Sequence, residues 1–476
     1  MGLPNHKTKI VATIGPASES LEGIQLLLKA GMNVARINFS HGDFNYHRRL
    51  IHNARRAAHL TNSRLAIMAD LPGPKIRLGQ IDPEPVELKS GETYFLTTED
   101  IVGDRFGASV SFAGLPQAVK PGNIIFLNDG LIQLAVEQVI NNVVHCRVEV
   151  GGELRSRKGL NLPGIHLGIS AFTEYDRQCL EFALEHGVDA VSQSFVESAQ
   201  DITAVREAAQ DIGWQPFIIA KIERRNALDH LDGIIKAADG IMIARGDLGV
   251  EIPIEQIAGT QKRIMRKANL AGKPVITATQ MLESMVSNRR PTRAEATDVA
   301  NAILDGADAV MLSEESAMGQ YPVEAVAMLA KIAAAIEPHR PGSHIRGILK
   351  EISTQKHLNL SELIALSVEA TLERITPAAV FVPTRSGATA RSISRFRPSV
   401  WIMALSSLET TCQRLMFTYG VWPIHEPDHP EDWKDYIRGY LQRFELPGDI
   451  VLLTEGPSSK HPQVNNRMEL FDLSKR

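Results

Sequence analysis

Phe217-Ile218-Ile219-Ala220-Lys221-Ile222-Glu223 and Gly240-Ile241-Met242-Ile243-Ala244-Arg245-Gly246-Asp247 are two short apolar runs, each charged only at its C-terminal end. Runs of this length and composition predict strands buried on both faces, the kind found in parallel sheets. Side chains alternate along a strand, so Lys221 and Glu223 are expected on one face, as are Arg245 and Asp247. Neighbouring parallel strands lie about 4.8 Å apart, so Glu223 and Asp247 could share one divalent ion. Cations and carboxylates crowded at strand ends are costly unless paired or metal-bound. An ordinary buried Lys–Glu ion pair explains either run alone; what counts against it is that the pattern recurs at other strand ends.

Outward from this pair, short apolar runs alternate with amphipathic ones. Further strands are predicted at Lys9–Ile14, Asn33–Asn38, Leu65–Asp70, Ala190–Phe195, Pro274–Thr279 and Ala309–Ser313. Leu21, Ile24, Leu27 and Leu28 fall on one helix face, as do Ile234, Ile235 and Ala238, and Val299, Ala302 and Ile303. Gly31, Gly187, Gly272 and Gly306 stand where helices should end. Eight strand–helix units predict an α/β fold, a (β/α)8 TIM barrel over residues 1–70 and 170–342. Between them, residues 71–169 read as an inserted small β-barrel domain, with strands at Pro85–Leu88, Thr93–Thr97, Asn123–Leu127, Leu131–Val139 and Val143–Val150. Following the third barrel strand, it would overhang the C-terminal rim as a lid. Residues 343–476 read as a C-terminal α/β domain, with a helix at Glu362–Ile375 and a strand at Ala378–Val382. The turn Thr384-Arg385-Ser386-Gly387-Ala388-Thr389 then opens a helix as a phosphate cradle would.

Bulk properties exclude several classes. The 476 residues carry 51 Lys plus Arg against 55 Asp plus Glu, a net charge of −4 that speaks against nucleic-acid binding. Three scattered cysteines (Cys146, Cys179, Cys412) form neither a metal motif nor a disulfide framework and fit a reducing cytoplasm. The first residues lack the apolar core of a signal peptide, and no apolar stretch approaches a membrane span.

The other strand ends share the theme. Arg36, Asn38 and Ser40 alternate onto one face, the third strand ends in Asp70, Thr277 and Thr279 alternate at the seventh, and Ser313-Glu314-Glu315 closes the eighth. Each has a local explanation: serine and threonine cap helices, asparagine makes turns, Arg36 can pair with Asp70. Gathered at one rim they supply a divalent-metal site, two or three cations for phosphoryl oxygens, and hydroxyls able to relay a proton. No Gly-x-x-x-x-Gly-Lys-Ser/Thr loop, His-Glu-x-x-His pair or Gly-x-Ser-x-Gly elbow occurs. Spacing thus reaches a Mg2+-dependent barrel enzyme acting on a small phosphorylated acid.

Several stretches resemble the pyruvate kinase family: Lys7 to Pro16, Gly31 to Gly42, Lys158 to Gly164, Ala220 to Glu223, Met242 to Pro253, Thr277 to Met285 and Pro291 to Gly306. The resemblance continues more weakly through Thr384–Thr389 and Arg395-Phe396-Arg397-Pro398. It implies phosphoryl transfer from phosphoenolpyruvate to ADP, giving pyruvate and ATP. Glu223 and Asp247 would bind Mg2+, for which Mn2+ can substitute, and Lys221 would stabilise the transferring phosphoryl group and the enolate oxygen. Arg36 would hold phosphate oxygens of substrate and nucleotide. Gly246, Asp247 and Thr279 would bind the carboxylate, Thr279 and Ser313 would help deliver a proton, and Lys158 would reach the nucleotide from the lid. A homotetramer is implied too, with Pro291-Thr292-Arg293-Ala294-Glu295 near its interface, and a sugar-phosphate or nucleotide effector on residues 384–389.

The chain also departs from the family pattern. In many relatives K+ is held by residues matching Asn38, Ser40, Asp70 and the Leu71 carbonyl, with a glutamate nearby. Here Lys75 replaces that glutamate and Leu71 a threonine, so a fixed ammonium is expected to make K+ unnecessary. The plainer reading is a solvated loop lysine. Ser313-Glu314-Glu315-Ser316-Ala317 and Ser194-Phe195-Val196-Glu197 replace the usual Ser-Gly-Glu-Thr-Ala and Ser-Phe-Val-Arg, with tuning rather than loss of activity expected. Gly456-Pro457-Ser458-Ser459-Lys460-His461-Pro462-Gln463 is poorer in glycine than the family's effector-closing stretch. Two rivals remain: a Mg2+-dependent aldolase or lyase with Lys221 as a Schiff base, trappable by borohydride, and a non-catalytic metabolite sensor, against which the costly charge cluster argues.

Overall fold

The computed structural model describes residues 2–340, 358–428, 430, 432–456 and 466–475. Eight parallel strands close into a barrel: Lys9–Thr13, Val34–Asn38, Ala66–Leu71, Ala190–Gln193, Phe217–Ile222, Gly240–Ala244, Val275–Ala278 and Ala309–Leu312. All eight coincide with the apolar runs of the sequence, and nearly every residue in them is buried. Alternation sorts their side chains into two layers. In the fifth strand Phe217 and Ile219 point into the barrel, while Ile218, Ala220 and Ile222 face the helices. Lys221 has the inward parity, which delivers it to the barrel mouth. Gly31, Gly187, Gly272 and Gly306 all adopt positive φ after their helices.

The segment after the third strand builds its own apolar core, from Ile76 through Tyr94 and Leu134 to Leu162. Its six-stranded sheet runs Leu160–Asn161, Ile124–Leu127, Ile132–Ile140, Val143–Val150, Thr93–Thr97 and Gly107–Ser109. Bridges from Arg77 to Gly159 and from Leu78 to Val110 join the two edges. A separate ribbon pairs Val86–Leu88 with Gly152–Leu154. The strands at Gly107, Gly152 and Leu160 lay outside the expected set, because runs of two or three residues carry no readable period.

The C-terminal sheet is ordered Val421–His425, Trp401–Ser406, Ala379–Pro383, Ile450–Glu455 and Arg467–Asp472, parallel except for the last strand. The expected helix at 362–375 spans Leu360–Leu372, and Asn359 caps it. Pro457–Gln463, the glycine-poor stretch, lies outside the described residues. This unit is fastened to the barrel at the end opposite the rim. Met416 and Phe417 join the barrel's interior cluster, and Phe417 stacks on Phe217 at 5.3 Å. Beside them Arg397 and Asp308, both buried, pair at 2.6 and 2.7 Å.

Candidate active site

At the barrel's C-terminal rim one connected set of charges is buried. Lys221 Nζ donates to Ser194 Oγ at 2.6 Å and lies 3.2 Å from Glu223 Oε2 and 3.6 Å from Asp70 Oδ1. Arg36 grips Asp70 Oδ2 through Nε and Nη2 at 2.9 and 2.5 Å, and its Nη1 reaches Thr13 Oγ1 at 2.8 Å. Ser192 Oγ donates to Asp70 Oδ1 at 2.6 Å, and the Phe195 amide donates to Glu223 Oε1 at 2.7 Å. Burial opposes charge on all of these groups. At Asp70 it is outweighed by Lys221 and Arg36, which hold the carboxyl below its usual range. At Lys221 it is outweighed by Asp70 and Glu223, so the ammonium persists. Burial wins at Glu223 and raises its pKa against the pull of Lys221, with Asp247 adding repulsion.

Asp247 therefore acts electrostatically on both Glu223 and Lys221, as its predicted pairing with Glu223 requires, but it arrives by another route. The chain leaves the sixth strand at Ala244 and turns into a helix, Arg245–Glu251. Residues 245 and 247 are then about 200° apart around the helix rather than on one strand face. Arg245 points away, pairing with Asp298 at 2.7 Å and donating to the Thr279 carbonyl at 3.0 Å. Its side chain is thus directed away from the buried cluster, which leaves Arg36 and Lys221 as the cations gathered there.

The seventh strand needs a similar correction. Ile276 and Ala278 face the barrel interior, so Thr277 points into the helix layer, where its hydroxyl is buried without a hydrogen-bond partner among the described residues. Thr279 reaches the rim because its backbone flips to φ 67, and its hydroxyl accepts the Gly246 amide at 2.7 Å. Ser40 likewise lies beyond the end of its strand, in a turn where its amide donates to Asn38 Oδ1 at 3.1 Å. Leu71 is buried at the end of the third strand. Ser313 caps a short helix, Glu314–Ala317, and its amide donates to Glu315 at 2.7 Å.

Lys75 is exposed at the entrance to the inserted domain. Its Cε lies 3.6 Å from where a side chain on Gly159 would begin. Its charge, with those of Arg77 and Arg36, joins burial in lowering the pKa of His41, next to Ser40. Lys158 is half-buried beside Gly159, and its carbonyl accepts the Leu78 amide at 2.9 Å. Glu197 does more than remove a cation, since it pairs with buried Arg224 at 3.3 Å and with His166 at 2.9 Å. In residues 384–389, Thr384 Oγ1 accepts the Gly387 amide at 2.9 Å and Ser386 Oγ accepts that of Ala388 at 3.4 Å, so the loop folds on its own hydroxyls.

Thr13, Ser192, Ser194 and Phe195 belong to the centre and were missed. For Thr13, Ser192 and Ser194 alternation was the available signal, because Val11 and Ala190 face inward and residues two and four further along share that parity, whereas Phe195 has the opposite parity and enters through its backbone amide. Among the described residues no group of three or more His, Cys, Asp or Glu side chains is placed to hold a metal unaided. The donor set nevertheless suits a hard divalent ion. Glu223 Oε2 is buried and, apart from its ion pair with the Lys221 ammonium at 3.2 Å, has no hydrogen-bond partner among the described residues; Asp247 acts on it electrostatically, and Mg2+ commonly takes one or two carboxylates, completing its shell with water and substrate phosphate.

The fold and this rim define a (β/α)8-barrel protein whose paired cations and carboxylates lie where an inserted β domain joins the barrel. Residues 5–326 match the family model for the pyruvate kinase barrel domain, and residues 362–471 that for the pyruvate kinase alpha/beta domain. The chain belongs to the pyruvate kinase family. It is 49% identical to a pyruvate kinase of Thermococcus litoralis, covering 99% of this chain and 100% of the relative. A pyruvate kinase of Clostridium acetobutylicum is 42% identical over 98% of this chain and 99% of its own. The crystal structure of a pyruvate kinase from Cryptosporidium parvum superimposes with a TM-score of 0.92 at 35% identity, covering 98% of this chain and 96% of that one.

Proposed function

We propose that this chain moves the phosphoryl group of phosphoenolpyruvate to ADP, giving pyruvate and ATP, with Mg2+ (or Mn2+) as its divalent ion and no need for K+. The observation that carries the reading is the buried Lys221 ammonium ringed by Ser194, Glu223 and Asp70, with Arg36 alongside. Arg36 and Lys221 hold the phosphoryl oxygens, and the Gly246 and Asp247 amides with the Thr279 hydroxyl hold the carboxylate. Glu223 and Asp247 would hold the divalent ion, which would supply charge neutralisation for the phosphoryl oxygens. The bond from phosphorus to the enol oxygen breaks as one forms to the terminal oxygen of ADP, and Lys221 stabilises the enolate left behind. Thr279 and Ser313 relay the proton that converts this enolate to pyruvate. Lys158 approaches the nucleotide as residues 71–169 close over the barrel of residues 1–70 and 170–342, excluding water that would otherwise take the phosphoryl group.

In this reading the Lys75 ammonium takes the place of the K+ that residues matching Asn38, Ser40, Asp70 and Leu71 would hold; its charge is felt at His41, next to Ser40. The reading also includes a cytoplasmic homotetramer and a sugar-phosphate or nucleotide effector held by residues 384–389 of a regulatory domain, 343–476. A coupled assay for pyruvate from phosphoenolpyruvate and ADP, with and without Mg2+ and in tetramethylammonium buffer free of K+ and Na+, tests the central claims. No ADP-dependent pyruvate sinks the reaction, and a large loss in tetramethylammonium sinks the role of Lys75.

A further inference from the structure

The turn that ends the fourth barrel strand touches both sides of the reaction centre. Ser194 Oγ receives the Lys221 ammonium at 2.6 Å, and the Phe195 amide is given to Glu223 Oε1 at 2.7 Å. Phe195 can aim that amide only from left-handed backbone, φ 60, an uncommon conformation for a bulky side chain that must be held by its surroundings.

Those surroundings are the two chain segments that join the inserted domain to the barrel. On the way out, Gly73 lies against the turn at φ 63. A Cβ there would stand 2.8 Å from the Phe195 ring and 3.3 Å from Ser194. On the way back, the buried Gln193 amide donates to the Ala171 carbonyl at 2.7 Å and to the Ser194 carbonyl at 3.0 Å. Asp176 ties the two segments together, accepting the Gly73 amide at 3.0 Å and the Thr173 amide and hydroxyl at 2.8 and 2.7 Å.

We propose that residues 193–195 are the positioning element of the reaction centre. Ser194 orients the Lys221 ammonium, Phe195 orients the Glu223 carboxylate, and both are keyed to the lid through Gly73 and Ala171. Movement of the lid's two connections then shifts the hydroxyl and the amide that aim the phosphoryl-binding lysine and the metal-binding carboxylate. In this proposal residues 193–195 act through Lys221 and Glu223 rather than on the substrate or metal directly. This inference rests on the reading of Lys221 and Glu223 given above.

The experiment compares Ser194→Ala, Ser194→Thr and Gly73→Ala with the wild-type enzyme in two measurements. One is Mn2+ affinity of the substrate-free protein by electron paramagnetic resonance; the other is kcat and KM for phosphoenolpyruvate and ADP. Ser194→Ala is expected to lower kcat about 10- to 100-fold with little change in either KM or in Mn2+ affinity, and Ser194→Thr to recover most of the loss. Gly73→Ala, remote from the metal, is expected to weaken Mn2+ binding about tenfold and to lower kcat. Gln193→Leu, which cuts the Ala171 connection without restraining the backbone, replaces Gly73→Ala should that variant not fold, with the same expectation. The proposal is overturned if Ser194→Ala keeps kcat within about threefold of wild type. It is equally overturned if Gly73→Ala or Gln193→Leu raises only the KM for ADP and leaves Mn2+ affinity unchanged. Wild-type enzyme that binds no Mn2+ refutes the metal reading itself, a different result from variants that bind as wild type does.

Discussion

Replacing Lys221 with methionine removes the ammonium while keeping most of the side chain's length. Two unit charges at the 3.2 Å separation of Lys221 and Glu223 interact by about 5 kcal/mol at an effective dielectric constant near 20. A transferring phosphoryl oxygen at a similar distance loses stabilisation of that order, which predicts a fall in kcat of roughly 10^3- to 10^4-fold. Arg36 still holds Asp70 at 2.9 and 2.5 Å, and Ser192 still donates to it at 2.6 Å, so the pocket keeps one cation for the phosphate. The KM for phosphoenolpyruvate should therefore change far less than kcat. The stability cost falls on Glu223, which keeps the Phe195 amide but loses the one cation paired with it among the described residues. Breaking a buried pair from one side costs about 3–5 kcal/mol, less where the remaining carboxyl takes up a proton. Pyruvate formation coupled to lactate dehydrogenase gives kcat and KM, and a thermal melt confirms folding. A folded variant that loses less than about tenfold in kcat refutes the assignment of Lys221 to the transferring group.

Four further outcomes follow from the same structure. Arg397→Met strips Asp308 of its buried cation and leaves it with the Tyr419 and Val275 amides at 2.9 and 3.0 Å. Calorimetry should show a loss of about 3–5 kcal/mol, and an unchanged melting temperature would contradict the pairing. Burial, with Glu373 nearby, raises Glu369 from 4.5 to about 7, so the folded protein binds this proton more tightly than the unfolded chain. Stability from this group declines as pH rises from about 4.5 to 7, and the penalty is fully present above 7. Glu369→Gln should melt higher than wild type above pH 7, with the gap closing toward pH 4.5; a gap independent of pH defeats this. Lys75→Glu should make activity depend on added K+ while wild type stays indifferent, and a variant equally indifferent would separate Lys75 from the cation site. Thr279→Ala removes the acceptor of the Gly246 amide and should cost about 10^2-fold in kcat, with Thr279→Ser retaining most activity; equal losses in the two would exclude the hydroxyl.

The barrel was readable because each of its strands is buried on both faces and so appears as an apolar run; apart from Lys9 at the opposite end of the first strand, charges interrupt the pattern where a strand meets the rim. Lys221 and Glu223 were assigned to one face correctly because the fifth strand stays extended through Ile222. The same rule failed at Arg245 and Asp247 and at Thr277 and Thr279, where the backbone leaves the strand before the polar residues arrive. Nothing in the apolar pattern marks that departure. The inserted domain was recognisable by its turns and by its two longest strands, whereas its shortest strands owe their existence to partners distant in sequence. Ser192 and Ser194 went unread for a different cause, since serine carries no charge to draw notice and its importance lies in what it touches.

The errors therefore gather at the rim, and the geometry of a closed barrel explains why. Within the barrel, hydrogen bonds to two neighbours force strict alternation, so sequence parity settles where a side chain points. One residue beyond the last hydrogen bond that constraint ends, and the chain turns into a helix at Arg245 or flips to positive φ at Phe195 and Thr279. Strained backbone of this kind persists only when contacts from elsewhere hold it, here Gly73, where the chain enters the inserted domain, against Phe195 and the Gly246 amide on Thr279. The residues that aim the chemistry are thus those whose conformations depend on tertiary contacts. A reading by local period finds the charges of the centre, and only the assembled fold shows what points them at one another.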